Sequence, residues 1–338
     1  MDEPLHGLLL AAGLSTRLGP LSVALPKPLL PVCNHPLLRW AVALCARSEI
    51  RGLAVNLHHL GERIRAELGD GSQLGVQVTY SPEPEILGTG GGIKRMAGLL
   101  GRGRCVVVNA KIVVDLDLAD VLAFHRARGA LATLVLRPDP FAERWGAIGL
   151  DEAGQVTRIL EHGADRPHTP YQFTGIHVLE PELIDAIPDG PCCVIRTAYL
   201  DLLARGAPLL GYVHRGYFYD HSTPARYLQG NLNLLAGQAE PACRPGPLRG
   251  VDPSAAVDPA AELVEPVLVG AGARIEAGAR VGPNVALGPR ARVAAGTTLR
   301  DAVVWPDAVA DASGVRVVVT PGGLVQVPEV DDPAASPR

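Results

Sequence analysis

Leu8-Leu9-Leu10-Ala11-Ala12-Gly13-Leu14-Ser15-Thr16-Arg17-Leu18-Gly19-Pro20-Leu21, followed closely by Pro26-Lys27-Pro28-Leu29-Leu30-Pro31, is the stretch that decides how the chain is read. Its apolar opening, Leu8–Ala12, reads as a short buried strand. The strand breaks into a loop of small residues that carries one arginine, and a lysine set between prolines follows. Backbone N–H groups that can be approached closely, beside a fixed positive charge, suit a phosphate-rich ligand.

Outward from this loop, apolar runs alternate with amphipathic ones. Strands are predicted at 8–12, 53–57, 76–80, 105–109 and 131–136, and helices at 37–48, 60–68, 92–99 and 118–128. That alternation predicts an α/β fold with a Rossmann-like, mainly parallel sheet. Ligands of such sheets bind at the carboxyl ends of the strands. The opening loop, Gly88-Thr89-Gly90-Gly91-Gly92 and the segment after Asn109 are therefore expected to meet at one edge. A mixed region spans 147–213, with strands expected at 156–160 and 173–179. Pro224–Leu235 reads as a helix with proline in its first turn.

The first unit is placed at 1–239 and a Pro- and Gly-rich linker at 240–250. Beyond it Val251, Val257, Leu263, Val269, Ile275, Val281, Leu287, Val293, Leu299 and Trp305 stand six residues apart. Six-residue periodicity predicts about three stacked triangular coils of short parallel strands, placed at 251–320. Residues 321–338, rich in Pro, Asp and Ala, read as a disordered tail.

Composition narrows the classes. The net charge of -4 argues against a nucleic-acid surface held by bulk electrostatics. No apolar run reaches the roughly 20 residues that span a bilayer, so no membrane partner is expected and a cytoplasmic location is. Six cysteines without a C-x-x-C pair signal neither a zinc site nor a disulfide framework. Of 31 basic residues only Lys27, Lys94 and Lys111 are lysines. Where any cation serves, such a chain uses arginine, so lysine marks places that need a compact ammonium.

The opening stretch resembles the signature of the sugar nucleotidyltransferases, G-x-G-T-R-L-x-P-L-T with P-K-P-L-x-P beyond it; Ser15 and Ser22 stand where glycine and threonine are usual. The repeat is similar to the left-handed β-helix of hexapeptide-repeat proteins, which accompanies part of that family, such as mannose-1-phosphate guanylyltransferases. The resemblance implies transfer of a nucleotidyl group from a nucleoside triphosphate to a sugar 1-phosphate, giving an NDP-sugar for cell-surface polysaccharide and pyrophosphate. It implies Arg17 on the β- and γ-phosphates and Lys27 between the reacting phosphates. It implies Leu10, Ala11, Ala12, Gly13, Glu85, Gly88, Thr89 and Gly90 around the nucleotide. On the sugar-phosphate side it implies Gly146, Glu161, His162, Thr174 and Gly175. Homo-oligomers through the β-helix are expected.

Two positions depart from the family pattern. Lys111 falls where an aspartate binds Mg²⁺, while Asp220, in Gly216-Tyr217-Phe218-Tyr219-Asp220-His221-Ser222-Thr223-Pro224, matches the second metal ligand. A carboxylate with Mg²⁺ and an ammonium each carry a single positive charge, so Lys111 is a candidate catalytic replacement for the ion's field. The alternative is an NDP-sugar-binding regulatory subunit that has lost turnover. His162 stands where a lysine holds the sugar phosphate, and an imidazole is only partly charged near neutrality. His177 reads as structural and Lys94 as solvated. Acyl transfer on the β-helix is disfavoured, because no histidine follows His221.

Overall fold

In the computed structural model, which describes residues 4–163 and 169–330, the opening apolar run forms strand β1 (Leu5–Leu10). After α1 (Leu37–Arg47) come β2 (Gly52–Leu57), β3 (Gln77–Pro82), α2 (Gly88–Leu100), β4 (Arg104–Asn109) and β5 (Ile112–Val114). Then follow β6 (Ala132–Arg137), β7 (Thr169–Leu179), β8 (Phe218–Asp220) and α3 (Pro224–Leu235). β1 pairs in parallel with β2 and β4, and β3 extends the parallel run beyond β2. Leu8, Leu9, Val106, Val107 and Val108 are buried, as expected of strands covered on both faces. The parallel order points Leu10, Leu57 and Asn109 toward one edge of the sheet, where the sequence reading put the ligand.

The long β7 joins the halves. Its second part runs antiparallel to β4 and β6, and its first part pairs with Ile148–Leu150. A meander through Val156–Ile159 and His162–Gly163 continues from there. Helix α2 begins at Gly88 rather than at Gly92, so the glycines lie in its first turns instead of in a loop. Gly90 N–H donates to Cys192 O (2.9 Å) and Cys192 N–H to Leu87 O (2.9 Å). A Cβ on Gly91 would sit 2.4 Å from Gly190 O. The glycine run therefore admits the 188–194 segment against the helix. Only its first residues, Gly88 and Thr89, line the cavity at the strand ends.

The C-terminal region is a coil of parallel strands. Val251, Val269 and Leu287 stack with a spacing of 18 residues. The next layer pairs Leu287 with Val304, one residue ahead of the hexad position, and Val304 with Val319. The ladder thus holds five strands, more than the periodicity promised, because the last layer has left the six-residue phase. Val269, Ile275, Val281, Leu287, Val293 and Leu299 are buried, whereas Val251 in the first coil is 41% exposed. Gly323–Gln326 forms a further strand on Gly314–Thr320, and Val327 is buried, so the start of the predicted tail is ordered. Residues 331–338 lie outside the described residues.

Trp305 is out of strand register because it faces the other unit. Its indole N–H donates to Tyr227 Oη (3.0 Å), and Tyr227 O–H donates to Pro31 O (2.6 Å). Leu18, Leu21 and Leu30 from the opening motif share one apolar cluster with Tyr227 and the coil interior. The loop after β1 is thereby packed against the β-helix through α3.

Candidate active site

β1 ends at Leu10, and the next two N–H groups have no strand partner. Both donate to Asn56 Oδ1 at the end of β2, from Ala11 at 2.6 Å and from Ala12 at 3.2 Å. Asn56 Nδ2 donates to Glu83 Oε1 (2.8 Å), whose Oε2 accepts from Leu87 N–H (3.0 Å). This buried relay fixes the carboxyl ends of β1, β2 and β3 relative to the start of α2.

The loop after β1 then turns at Ser15, whose φ of 60° is the left-handed conformation usual for glycine. The hydroxyl offsets that cost: it donates to Gly13 O (3.3 Å) and accepts from Lys27 N–H (3.3 Å), tying the loop to the lysine turn.

Two cavities meet here. One, of about 300 Å³, is walled by Leu10–Gly13, Ser15, Lys27, Asn56, Glu83, Ile86, Gly88 and Thr89. The other, of about 230 Å³, is walled by Arg17, Thr174, Gly175, Cys193, Phe218, Asp220 and Arg226. Leu10, Thr89, Asn109 and Lys111 line both, so the two form one continuous cleft. Lys111 stands at the seam.

Burial pushes the Lys27 ammonium down to about 8; the positive charges of Lys111 and Arg17 add to this and Asp220 opposes it. Asp220 lies opposite Ile112 in the β5–β8 pair, which brings it beside Lys111. Lys111 Nζ sits 2.7 Å from Asp220 Oδ2. Burial alone would raise the Asp220 carboxyl, but the Lys111 ammonium, then a hydrogen bond from the Ser222 side chain, and then Arg226 outweigh it and hold the group well below the usual carboxylate range.

These residues do not fit Mg²⁺ held by two carboxylates. An ammonium already occupies Oδ2 of Asp220, and no group of three His, Cys, Asp or Glu among the described residues could hold a metal ion. Asp117 supplies no substitute ligand, since its carboxylate caps Leu118–Ala127 by accepting from Ala119 N–H (2.9 Å).

On the sugar side the register of β7 against β6 shifts between Phe173 and His177, and Thr174 and Gly175 fall in that irregularity. Gly175 has φ +83°, and a Cβ there would lie 2.1 Å from Asn109 Nδ2. Only glycine lets β7 pass Asn109 at the seam. His177 is buried against the Tyr199 hydroxyl, and burial pushes its pKa down to about 3; it also lines the second cavity.

Five expected site residues lie elsewhere. Glu85 is exposed and lines neither cavity; the buried carboxylate is Glu83, on the other side of Pro84. Gly90 is packed under Cys192. Gly146 packs against Leu160 and lines neither cavity. The side chains of Glu161 and His162 are 70% and 54% exposed, and they pair with each other. His162 borders a separate depression with Leu200 and Leu203, away from Thr174. Lys94 is not merely solvated: it donates to Ile187 O (2.7 Å) and pairs with Asp189 (2.7 Å), fastening the 188–194 segment to α2.

Sequence reasoning passed over Asn56, Glu83, Asn109 and Arg226. A lone asparagine in the apolar run Leu53-Ala54-Val55-Asn56-Leu57 was the available signal, because a buried polar side chain needs a partner.

Comparison with known proteins gives a consistent answer. A family model described as nucleotidyl transferase matches residues 6–236. A mannose-1-phosphate guanylyltransferase of Mycobacterium tuberculosis is 36% identical over 275 residues, covering 79% of this chain and 75% of that protein. A UTP–glucose-1-phosphate uridylyltransferase of Synechocystis is 31% identical over 200 residues, covering 55% and 52%. The crystal structure of HddC from Yersinia pseudotuberculosis shares the fold with a TM-score of 0.56 at 22% identity, covering 67% of this chain and 97% of that one. No helix among the described residues is long and apolar enough to cross a membrane. By the family model over residues 6–236 and the relatives it matches, the chain belongs to the nucleotidyl transferase family.

Proposed function

We propose that this chain is a sugar-1-phosphate guanylyltransferase that acts on mannose 1-phosphate and GTP. A sugar-phosphate oxygen attacks the α-phosphorus, a new P–O bond forms, and the bond to the β-phosphate oxygen breaks as pyrophosphate leaves. Among the relatives, the guanylyltransferase shares more of its sequence over more of the chain than the uridylyltransferase does, which favours guanylyl transfer.

One observation carries the reading: Arg17, Lys27 and Lys111 converge on a cleft whose other wall is the main chain of Leu10–Gly13. Collecting phosphates and stabilising the leaving pyrophosphate is chiefly orientation and charge neutralisation. Lys27 suits the reacting phosphates, since a dianion relieves the repulsion it feels from Lys111 and Arg17. Leu10, Ala11, Ala12, Gly13, Gly88 and Thr89 are the proposed nucleotide wall, and Thr174 and Gly175 the sugar wall.

Lys111 supplies at the seam the positive charge that the family's usual Mg²⁺ supplies, oriented by Asp220 and without a metal's coordination geometry. The outer faces of the coil are the proposed self-association surface. Val251, Val309, Val315 and Leu324 account for four of the seven exposed large apolar side chains among the described residues.

The test is product formation from GTP and mannose 1-phosphate, with and without EDTA, beside calorimetric binding of GTP and GDP-mannose. GDP-mannose and pyrophosphate in equal amounts, with activity that survives EDTA, is the expected result. Binding of both ligands without turnover would instead assign a regulatory subunit. Failure to bind any nucleoside triphosphate would overturn both readings.

A further inference from the structure

The three lysines of the chain are held in different ways. Lys111 is paired with Asp220 and Lys94 with Asp189, so a carboxylate fixes each of these ammonium groups. The Lys27 ammonium lines the cleft but has no ion pair or hydrogen bond among the described residues. Its place is therefore set by the main chain that carries it. A shift of about 1 Å in a group that meets reacting atoms can cost on the order of a hundredfold in rate, so what holds that main chain matters.

The chain after Lys27 is anchored from outside the sheet. Lys27–Leu29 is a single tight turn, with Leu30 N–H donating to Lys27 O (3.1 Å). Pro31–Val32 then pairs with His35–Pro36 across Cys33 and Asn34, which are left-handed with φ 46° and 65°. From α3, Tyr227 O–H donates to Pro31 O (2.6 Å), and Asn231 Oδ1 accepts from Cys33 N–H (2.8 Å). The coil supplies the other two contacts. Asn34 Nδ2 donates to Leu287 O (2.8 Å), and the Trp305 indole N–H donates to Tyr227 Oη (3.0 Å). Tyr227, Asn231 and Trp305 are buried, so little water competes for these bonds. The Tyr227 hydroxyl is the pivot. With the indole donating to its lone pair, its one proton is left for Pro31.

We infer that Tyr227 is a positioning residue for Lys27: its hydroxyl, oriented by Trp305, fixes the turn that presents the ammonium to the cleft. The coil is then a working part of the nucleotide site, although neither Tyr227 nor Trp305 lines a cavity there. This role presumes the transferase reading proposed above, in which Lys27 meets the phosphates.

Tyr227→Phe keeps the ring and removes the hydroxyl; Trp305→Phe removes the indole N–H and leaves the bond from Tyr227 to Pro31. Both are made in the full chain, with Lys27 present and in Lys27→Ala, and GTP binding is measured by calorimetry with melting curves as the folding control. Tyr227→Phe is expected to weaken GTP binding about three- to tenfold, and Trp305→Phe to weaken it by less. In Lys27→Ala neither substitution should weaken it further, because a positioning residue has no effect once the group it positions is gone. The same loss in both backgrounds would reveal a general softening of the fold and overturn the inference, as would unchanged GTP binding in Tyr227→Phe. Should Tyr227→Phe melt below the assay temperature, Trp305→Phe decides by the same comparison. Where Lys27→Ala binds GTP too weakly to measure, amide exchange decides instead. Tyr227→Phe must then speed exchange of the Leu29 and Leu30 N–H groups severalfold and leave Ala11 and Ala12 unchanged; an equal change at both places overturns the inference. A wild type that binds no GTP takes down the transferase reading itself.

Discussion

The two walls of the cleft are built by different rules. The wall proposed for the nucleotide is made of main chain at strand ends, held by one relay from Ala11 through Asn56 and Glu83 to Leu87. The wall proposed for the sugar is made of side chains from a bulged strand, a two-stranded ribbon and a helix start. Main chain at a strand end has few alternatives once the sheet is fixed, so the first wall keeps its motif almost residue for residue. Side chains can be exchanged as long as charge and volume are preserved. There an ammonium stands where a carboxylate is usual, and a guanidinium faces the recess that an exposed histidine does not reach. The lesson is that a motif located on backbone transfers more safely than one located on side chains.

The sharpest way to break this comparison is to remove the cation that the nucleotide wall depends on. Lys27→Ala is expected to lower turnover by roughly 10²–10³-fold, the usual effect of deleting one preorganised charge from a transition-state site. The Ser15 hydroxyl accepts from the Lys27 main-chain N–H and not from its ammonium, so the loop should keep its shape. Steady-state product formation with a melting curve as control checks both points. A loss below threefold would show that the lysine merely lies near the phosphates.

At the seam the expected effect is smaller and changes kind. Lys111→Ala removes the proposed metal surrogate and leaves Asp220 buried without its ion-pair partner, with turnover about 10- to 100-fold lower. Lys111→Asp places a second carboxylate beside Asp220 and should make nucleotide binding depend on added Mg²⁺, as titration of GTP with and without EDTA would reveal. If Lys111→Asp binds GTP equally well in EDTA, the local charge at this post is irrelevant and the surrogate reading falls.

How far the sequence could be read follows the same division. The parallel strands, α3 and the hexad coil were legible because their signals are periodic and local. The α2 start was misplaced because Gly88–Gly91 look like a loop. Their absent side chains in fact make room for Cys192 and Gly190, a contact about one hundred residues distant in the chain. Glu83 and Glu85 flank one proline, and no local pattern says which turns inward. Trp305 kept the sequence hexad and lost the structural register, since its indole serves Tyr227 in the other unit. Arg226 escaped notice for a similar reason: an arginine in a helical first turn reads as solvated until Asp220 and Tyr219 are brought beside it.

The mildest test asks only for a change of pH. Lys27 in the ligand-free protein titrates near 8 rather than at its ordinary value, because burial, then Lys111 and Arg17, disfavour the charged form. Its folded pKa is depressed below the unfolded one, so this lysine lowers stability while it is forced to carry charge below about pH 8. That penalty is relieved as the pH rises from 8 toward the unfolded value. Triphosphate binding has the opposite sign, since the ligand needs the ammonium and should pull the proton back on. Between pH 7 and 9 GTP affinity is therefore expected to fall, by up to about tenfold per unit above 8, with roughly half a proton taken up per site at pH 8. Calorimetry in two buffers of different ionisation enthalpy measures that uptake directly. Lys27→Arg should abolish it, because a guanidinium stays charged throughout the range. Proton uptake that persists unchanged in Lys27→Arg would move the titration to another group and leave the nucleotide wall without its tuned cation.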